Sequence, residues 1–179
     1  MAILQVLKYP DKRLRIVAEP VTEFNEELKT KVNDMHDTVY SQNGGGIAGT
    51  QVNYHKRLFT FAGPFVTLKE VYINPEILES HGTIISVEGC LSFPGVKAKV
   101  KRAQRIKVRY QDIDGGTHEE YLAAEPYTND KGETVSVDDY EAFKCRCFQH
   151  EIDHLNGIVF IDHFSKLKQK ILLQKLSVK

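Results

Sequence analysis

Gln149-His150-Glu151-Ile152-Asp153-His154-Leu155-Asn156-Gly157 is the stretch on which the reading of this chain turns. On a helix, residues four apart sit one turn above each other, so His150 and His154 aim their imidazoles at one point and Glu151 flanks it. Paired imidazoles beside a carboxylate are a standard arrangement for a divalent cation. Two surface histidines would produce the same string. Placement weighs against them, because the motif lies inside an amphipathic segment, Tyr140 to Leu155, expected to be buried along Phe143, Cys147 and Leu155. Ser136-Val137-Asp138-Asp139 reads as the capping signal that starts this helix, and Asn156-Gly157 as its stop.

Outward from that helix, Asn25 to Gln42 places Leu28, Val32, Met35 and Val39 at helical spacing, with Asn25 as N-cap and Glu26 and Glu27 in the first turn. Between the two helices the pattern changes to short β-like pieces: Leu58 to Phe61, Val71 to Asn74, Thr83 to Val87, and the alternation of Ile106, Val108 and Tyr110. Asp114-Gly115-Gly116 reads as a turn returning the chain into a strand near Glu119 to Ala123. Residues Glu125 to Val137, polar and unpatterned, read as a surface loop. After the motif, Gly157 to Asp162 reads as one more strand, and Phe164 to Leu176 as a last helix with Leu167, Ile171 and Leu172 on its inner side. The expected fold is α+β: mainly antiparallel sheets wrapped around a central metal-binding helix, with a C-terminal helix, in a single domain over 1–179.

The 179 residues carry 24 Lys plus Arg against 24 Asp plus Glu, so no global field draws the chain to DNA or an anionic membrane. The start of the sequence lacks the long apolar stretch of a secretory signal, which predicts a cytoplasmic protein. Three cysteines, an odd count in a chain able to form its own core, fit a reducing compartment where a thiolate can hold metal. A catalytic centre of this kind takes three protein ligands and leaves a position for water. Cys90 and Cys147 compete for the third place. Cys147 shares the helix face of His150 and His154, Cys145 points away from it, and Cys90 stands in the Gly-preceded stretch Val87-Glu88-Gly89-Cys90-Leu91-Ser92. Spacing leaves the choice open.

The pieces Gly44-Gly45-Gly46-Ile47-Ala48-Gly49-Thr50-Gln51, Glu88-Gly89-Cys90-Leu91-Ser92 and Gln149 to Gly157 resemble, in order, the three signature motifs of the peptide deformylases of bacterial type. Tyr9-Pro10-Asp11-Lys12-Arg13-Leu14-Arg15 and the stretch around Asn74-Pro75 are similar too, so the likeness runs over nearly the whole chain. The resemblance implies that Cys90, His150 and His154 bind the metal, that Glu151 is the general acid/base, and that Gln51 with the Leu91 backbone N–H meets the oxyanion. Cys147 then becomes a wall of the substrate pocket, with Gly44, Gly45, Gly46, Gly89 and Lys97 among the substrate-binding positions. It further implies Fe(II) as the ion, with Zn, Ni or Co able to substitute, and as substrate the N-formylmethionyl end of new polypeptides, from which formate is released. In that chemistry the metal acidifies its water, Glu151 takes the proton, and it later returns it to the leaving amine.

Departures from the family pattern carry expectations of their own. Gly49 stands where the family usually has Ala, and Gly45 where a branched apolar residue is common, which predicts a roomier or more mobile pocket wall. Lys97 stands where the family often has Arg and cannot make the same planar two-bond contact, so weaker peptide affinity is expected. The 125–137 loop is longer than usual and reads as a surface insertion. Lys166, Lys168, Lys170, Lys175 and Lys179 resemble the ribosome-contacting tail of some members, although a solvated helix face explains them equally, and a monomer is expected. Two other classes share parts of the pattern. A zinc endopeptidase has the helix motif but usually takes His or Glu as third ligand, and a structural metal module needs neither Gln51 nor Glu151.

Overall fold

The computed structural model describes residues 2–62, 70–129 and 131–176. Its main strands are β1 (Gly46–Ala48), β2 (Leu58–Phe61), β3 (Glu70–His81), β4 (Ile84–Cys90), β5 (Phe93–Arg102), β6 (Arg105–Gln111) and β7 (Thr117–Ala123). Five of them form one antiparallel sheet in the order β1-β2-β3-β6-β7, while β4 and β5 pair with each other as a separate hairpin. Every residue of β2 is buried, which marks a strand covered on both faces.

The covers are two capped helices. In α1 (Glu26–Ser41) the Asn25 side chain accepts the Leu28 N–H at 3.0 Å, and in α2 (Asp139–Leu155) Asp138 accepts the Glu141 N–H at 2.7 Å. The period-two alternation of the strands divides their side chains between the helices. Ile47, Leu58 and Ile73 pack with Leu28, Val32, Met35 and Val39 of α1, whereas Ala48, Phe59, Phe61 and Tyr72 pack with Cys145, Phe148, Ile152 and Leu155 of α2. A third cluster joins Phe93, Val96 and Val100 of β5 to Val159, Phe160, Ile161 and, from the last helix α3 (Lys166–Gln174), Leu172. Gly157, at φ +71°, ends α2 so closely that a Cβ would stand 2.6 Å from the Arg15 carbonyl oxygen.

Four expectations are corrected. Gly157 to Asp162 is not a strand: the chain turns through a short 3₁₀ helix, Phe160–His163, whose Val159 N–H is taken by the Asp162 carboxylate at 2.9 Å. The inner side of α3 is Leu172 with Leu173 and Leu176, while Leu167 and Ile171 face outward at 72% and 50% exposure. On α2 the core-facing line is Cys145, Phe148, Ile152 and Leu155, and Phe143 and Cys147 are only half-buried. Residues 125–137 are not wholly loop, since β8 (Tyr127–Thr128) pairs with β9 (Thr134–Val135).

β3 also runs further than its apolar pattern suggested. It passes Pro75 by a register shift, with Asn74 at φ +50° bonding the Val21 N–H and carbonyl, each at 2.8 Å. The strand β5 went unread, although Val96, Ala98 and Val100 alternate with Lys97, Lys99 and Lys101. Phe148 lies at the centre of the α2 side, fully buried, with the rings of Phe59 and Tyr72 at 4.9 and 5.2 Å. Phe148→Ala should therefore cost about 3–5 kcal/mol in urea unfolding; a loss below about 1 kcal/mol would contradict this packing.

Candidate metal centre

Cys90 ends β4, and the hairpin delivers its sulfur to the buried face of α2. Its Sγ lies 3.2 Å from His154 Nε2, and donor atoms of Cys90, His150 and His154 all fall within 4.8 Å of one another. Burial alone would raise the thiol, yet the facing imidazoles of His154 and His150 hold it well below its ordinary value, which favours the thiolate. Cys147 has the opposite fate: burial, and then the charge of Glu151 at 3.8 Å, push it well up. One thiolate and two imidazoles suit a single borderline divalent ion. The buried Glu151 Oε2 and His154 Nδ1 have no protein partner among the described residues, so the site also has polar capacity that its own side chains leave unused.

The imidazole of His150 is oriented from behind. Its Nδ1 meets Glu88 Oε2 at 2.9 Å, leaving Nε2 for the centre. Arg102 grips Glu88 with two bonds of 2.8 Å and also donates to Asp153 at 2.5 Å, which in turn meets His163 Nε2 at 2.8 Å. Burial opposes ionisation of Glu88, but Arg102 and His150 together hold its carboxyl down at about 2. Sequence reading gave no role to Glu88, Arg102, Asp153 or His163. Glu88 and Asp153 did lie inside quoted motifs, but nothing local marks Arg102, whose partners are 14 and 51 residues away.

Gln51 is 1% exposed on a short 3₁₀ turn. Its Oε1 accepts the Ala48 N–H at 2.9 Å, which fixes the amide so that Nε2 points at Ser92 Oγ (3.1 Å) and Cys90 Sγ (3.6 Å). Glu151 is raised above its usual range, first by burial. Gly46 permits its position, because a Cβ there would stand 2.7 Å from Glu151 Oε1 and 3.0 Å from Cys147 Sγ. A cavity of about 570 Å³ opens over the centre, lined by Gly44, Gly45, Gly46, Gln51, Gly89, Cys90, Leu91, Lys97, Cys147, His150 and Glu151, with His154 buried beneath.

The sequence profile described as polypeptide deformylase matches residues 3–170. The chain belongs to the polypeptide deformylase family. Peptide deformylase 1 of Shewanella oneidensis is 44% identical over 177 residues, covering 98% of this chain and 95% of that one, and peptide deformylase of Chromobacterium violaceum is 41% identical over the same span. Among solved structures, the Legionella pneumophila peptide deformylase superposes with a TM-score of 0.82 at 38% identity, covering 98% of this chain and 94% of its own. That of Thermotoga maritima gives 0.78 at 36% identity, covering 92% and 99%. Like the family, the chain is a metal-dependent hydrolase, and its donor set is for one divalent ion.

Within the family pattern, the expected roomier pocket wall is corrected at both glycines. Gly49 does not border the cavity: a Cβ there would lie 2.5 Å from the Tyr54 and 2.8 Å from the Lys56 carbonyl oxygen, so the glycine serves a close backbone approach. At Gly45 the vacated space is filled by Phe143, whose Cε2 and Cζ would stand 2.9 and 3.1 Å from a Cβ. Phe143 also stacks edge-on against Phe61 at 5.8 Å. Gly45→Ile should cost about 1–3 kcal/mol by overpacking against that ring; an unchanged denaturation midpoint would show that the ring yields freely. Separately, Glu88→Ala should weaken divalent-metal affinity by about 10- to 100-fold in chelator competition, and unchanged affinity would mean that His150 is oriented by other means.

Proposed function

We infer that this chain removes the formyl group from the N-terminal formylmethionine of newly made polypeptides, and we propose the following roles for its residues. Cys90, His150 and His154 hold the ion, and the observation that carries this is the convergence of one low-pKa sulfur and two imidazoles beside a buried carboxylate. Bound there, a divalent ion supplies Lewis acidity and acidifies water. Fe(II) is the ion we propose as physiological, with Zn, Ni or Co able to replace it, since a thiolate with two imidazoles suits each.

Glu151 takes the proton of the attacking water as its oxygen bonds to the formyl carbon. When the C–N bond breaks, the same carboxyl gives that proton to the amine, so formate and a free amino terminus leave. Charge that builds on the formyl oxygen is met by the Gln51 amide, held in its working orientation by the Ala48 N–H, and by the Leu91 backbone N–H. Cys147, Gly44, Gly45, Gly46, Gly89 and Lys97 border the methionyl side chain and the following backbone. The raised Cys147 thiol stays neutral, which suits an apolar wall better than a competing ligand.

We further propose one catalytic domain over 1–179, acting in the cytoplasm as a monomer. No described helix is long and apolar enough to cross a membrane. Contact with the ribosome through α3 is supported by the exposed Lys166, Lys168, Lys170 and Lys175 beside outward-facing Leu167 and Ile171; Lys179 lies outside the described residues.

Formate release from formyl-Met-Ala, measured on anaerobically purified protein with its metal content assayed, tests the reading. Glu151→Gln should keep the metal and lose turnover by on the order of a hundred- to ten-thousand-fold, whereas Cys90→Ser should lose metal and Cys147→Ser should keep it. Cleavage of unformylated peptides without formate release would assign the chain to the endopeptidases instead.

A further inference from the structure

The mouth of the cavity carries three cations, and for two of them no described residue provides an acceptor. Arg146 lines it from α2, one turn before His150 and therefore on the same helix face, half-buried and without a hydrogen bond or ion pair among the described residues. Lys97 lines it from β5, in register with Gly89, its stem laid over that glycine with Cγ 3.5 Å and Cε 4.0 Å from where a Cβ would be. Lys8 adds a third charge, with its ammonium already donated to the Leu91 carbonyl at 2.7 Å. Among the described residues, the carboxylates bordering the cavity are Glu88, saturated by Arg102 and His150, and Glu151, buried at the centre.

An arginine that is half-desolvated yet unpaired is an uncommon placement, because a guanidinium in low-dielectric surroundings gains most from a planar, two-oxygen acceptor. None of the described residues supplies such an acceptor, and a substrate side chain can. On the reading given above, the formylated end of the peptide sits at the centre, so the residues after the methionine leave through this mouth, between Arg146 on the helix side and Lys97 on the strand side. We propose that Arg146, with Lys97 opposite, makes this enzyme favour formyl peptides that carry an Asp or Glu side chain within the first two residues after the methionine.

The test compares kcat/KM for formyl-Met-Glu-Ala and formyl-Met-Ala-Glu against their Gln and Lys counterparts, all as C-terminal amides, at low and high salt. Two partly exposed charge contacts predict a Glu over Gln preference of roughly threefold to tenfold at one position or both, carried by KM and shrinking with salt. Arg146→Gln with Lys97→Gln should bring that ratio close to one, while Arg146→Lys should keep part of it. The ratio compares two substrates on one protein, so a general loss of activity in a variant does not distort it. Equal rates for Glu and Gln in the parent protein would overturn the proposal, as would a preference that survives the double substitution. So would a preference absent from the amides and present only when the same peptides are assayed in parallel as free acids, which would assign the cations to a chain terminus. Absence of formate from every peptide would instead overturn the deformylase reading on which this rests.

Discussion

Helix α2 brings His150, Glu151, Asp153 and His154 toward the interior, where an unpaired charge costs several kcal/mol. For His150 and Asp153 what makes this burial tolerable is Arg102, 6% exposed, whose single guanidinium serves both Glu88 and Asp153. Those carboxylates in turn hold His150 and His163, so one cation fixes four groups drawn from β4, α2 and the 3₁₀ turn that follows. The network also sets the chemistry. With Nδ1 of His150 committed to Glu88, only its other nitrogen is free to face Cys90, and the β4–β5 hairpin is tied to α2 at the place where the sulfur must arrive.

The same helix is an edge between two environments. Its Cys145, Phe148, Ile152 and Leu155 side fills the space over the sheet, and its Phe143, Arg146, Cys147, His150 and Glu151 side borders the cavity. Glycines decide how near the β1 segment comes to that second side. At Gly46 the missing Cβ lets Glu151 and Cys147 crowd the strand, and at Gly45 it lets the Phe143 ring come within 2.9 Å of where a Cβ would be.

Much of this was legible in the sequence because it is local. Asn25 and Asp138 cap helices through atoms three residues away, the His150 and His154 pair follows from the helical repeat, and Asp114-Gly115-Gly116 turns the chain between β6 and β7. Errors arose where a short apolar run admits two periods. Ile158 to Ile161 looks like a strand but lies in a turn pinned by Asp162, and the leucines of α3 carry too weak a stripe to say which side is inner. β5 was hidden by its lysines, which point outward from a hairpin whose other face is core.

By itself, then, the sequence determined the helices, most strands and the residue types from which a metal centre is built, since spacing along the chain sets which side chains share a face. It left Cys90 and Cys147 equal in spacing, said nothing of Arg102, and misjudged both glycines. The grouping of Cys90 with the two imidazoles, the ion pairs of Arg102 and the ring that fills the space at Gly45 appear only in the tertiary structure, because each depends on a residue from another element: His154 for Cys90, Glu88 and Asp153 for Arg102, Phe143 for Gly45. Distance through space fixes charge, burial and contact, and no periodicity within one element carries that information.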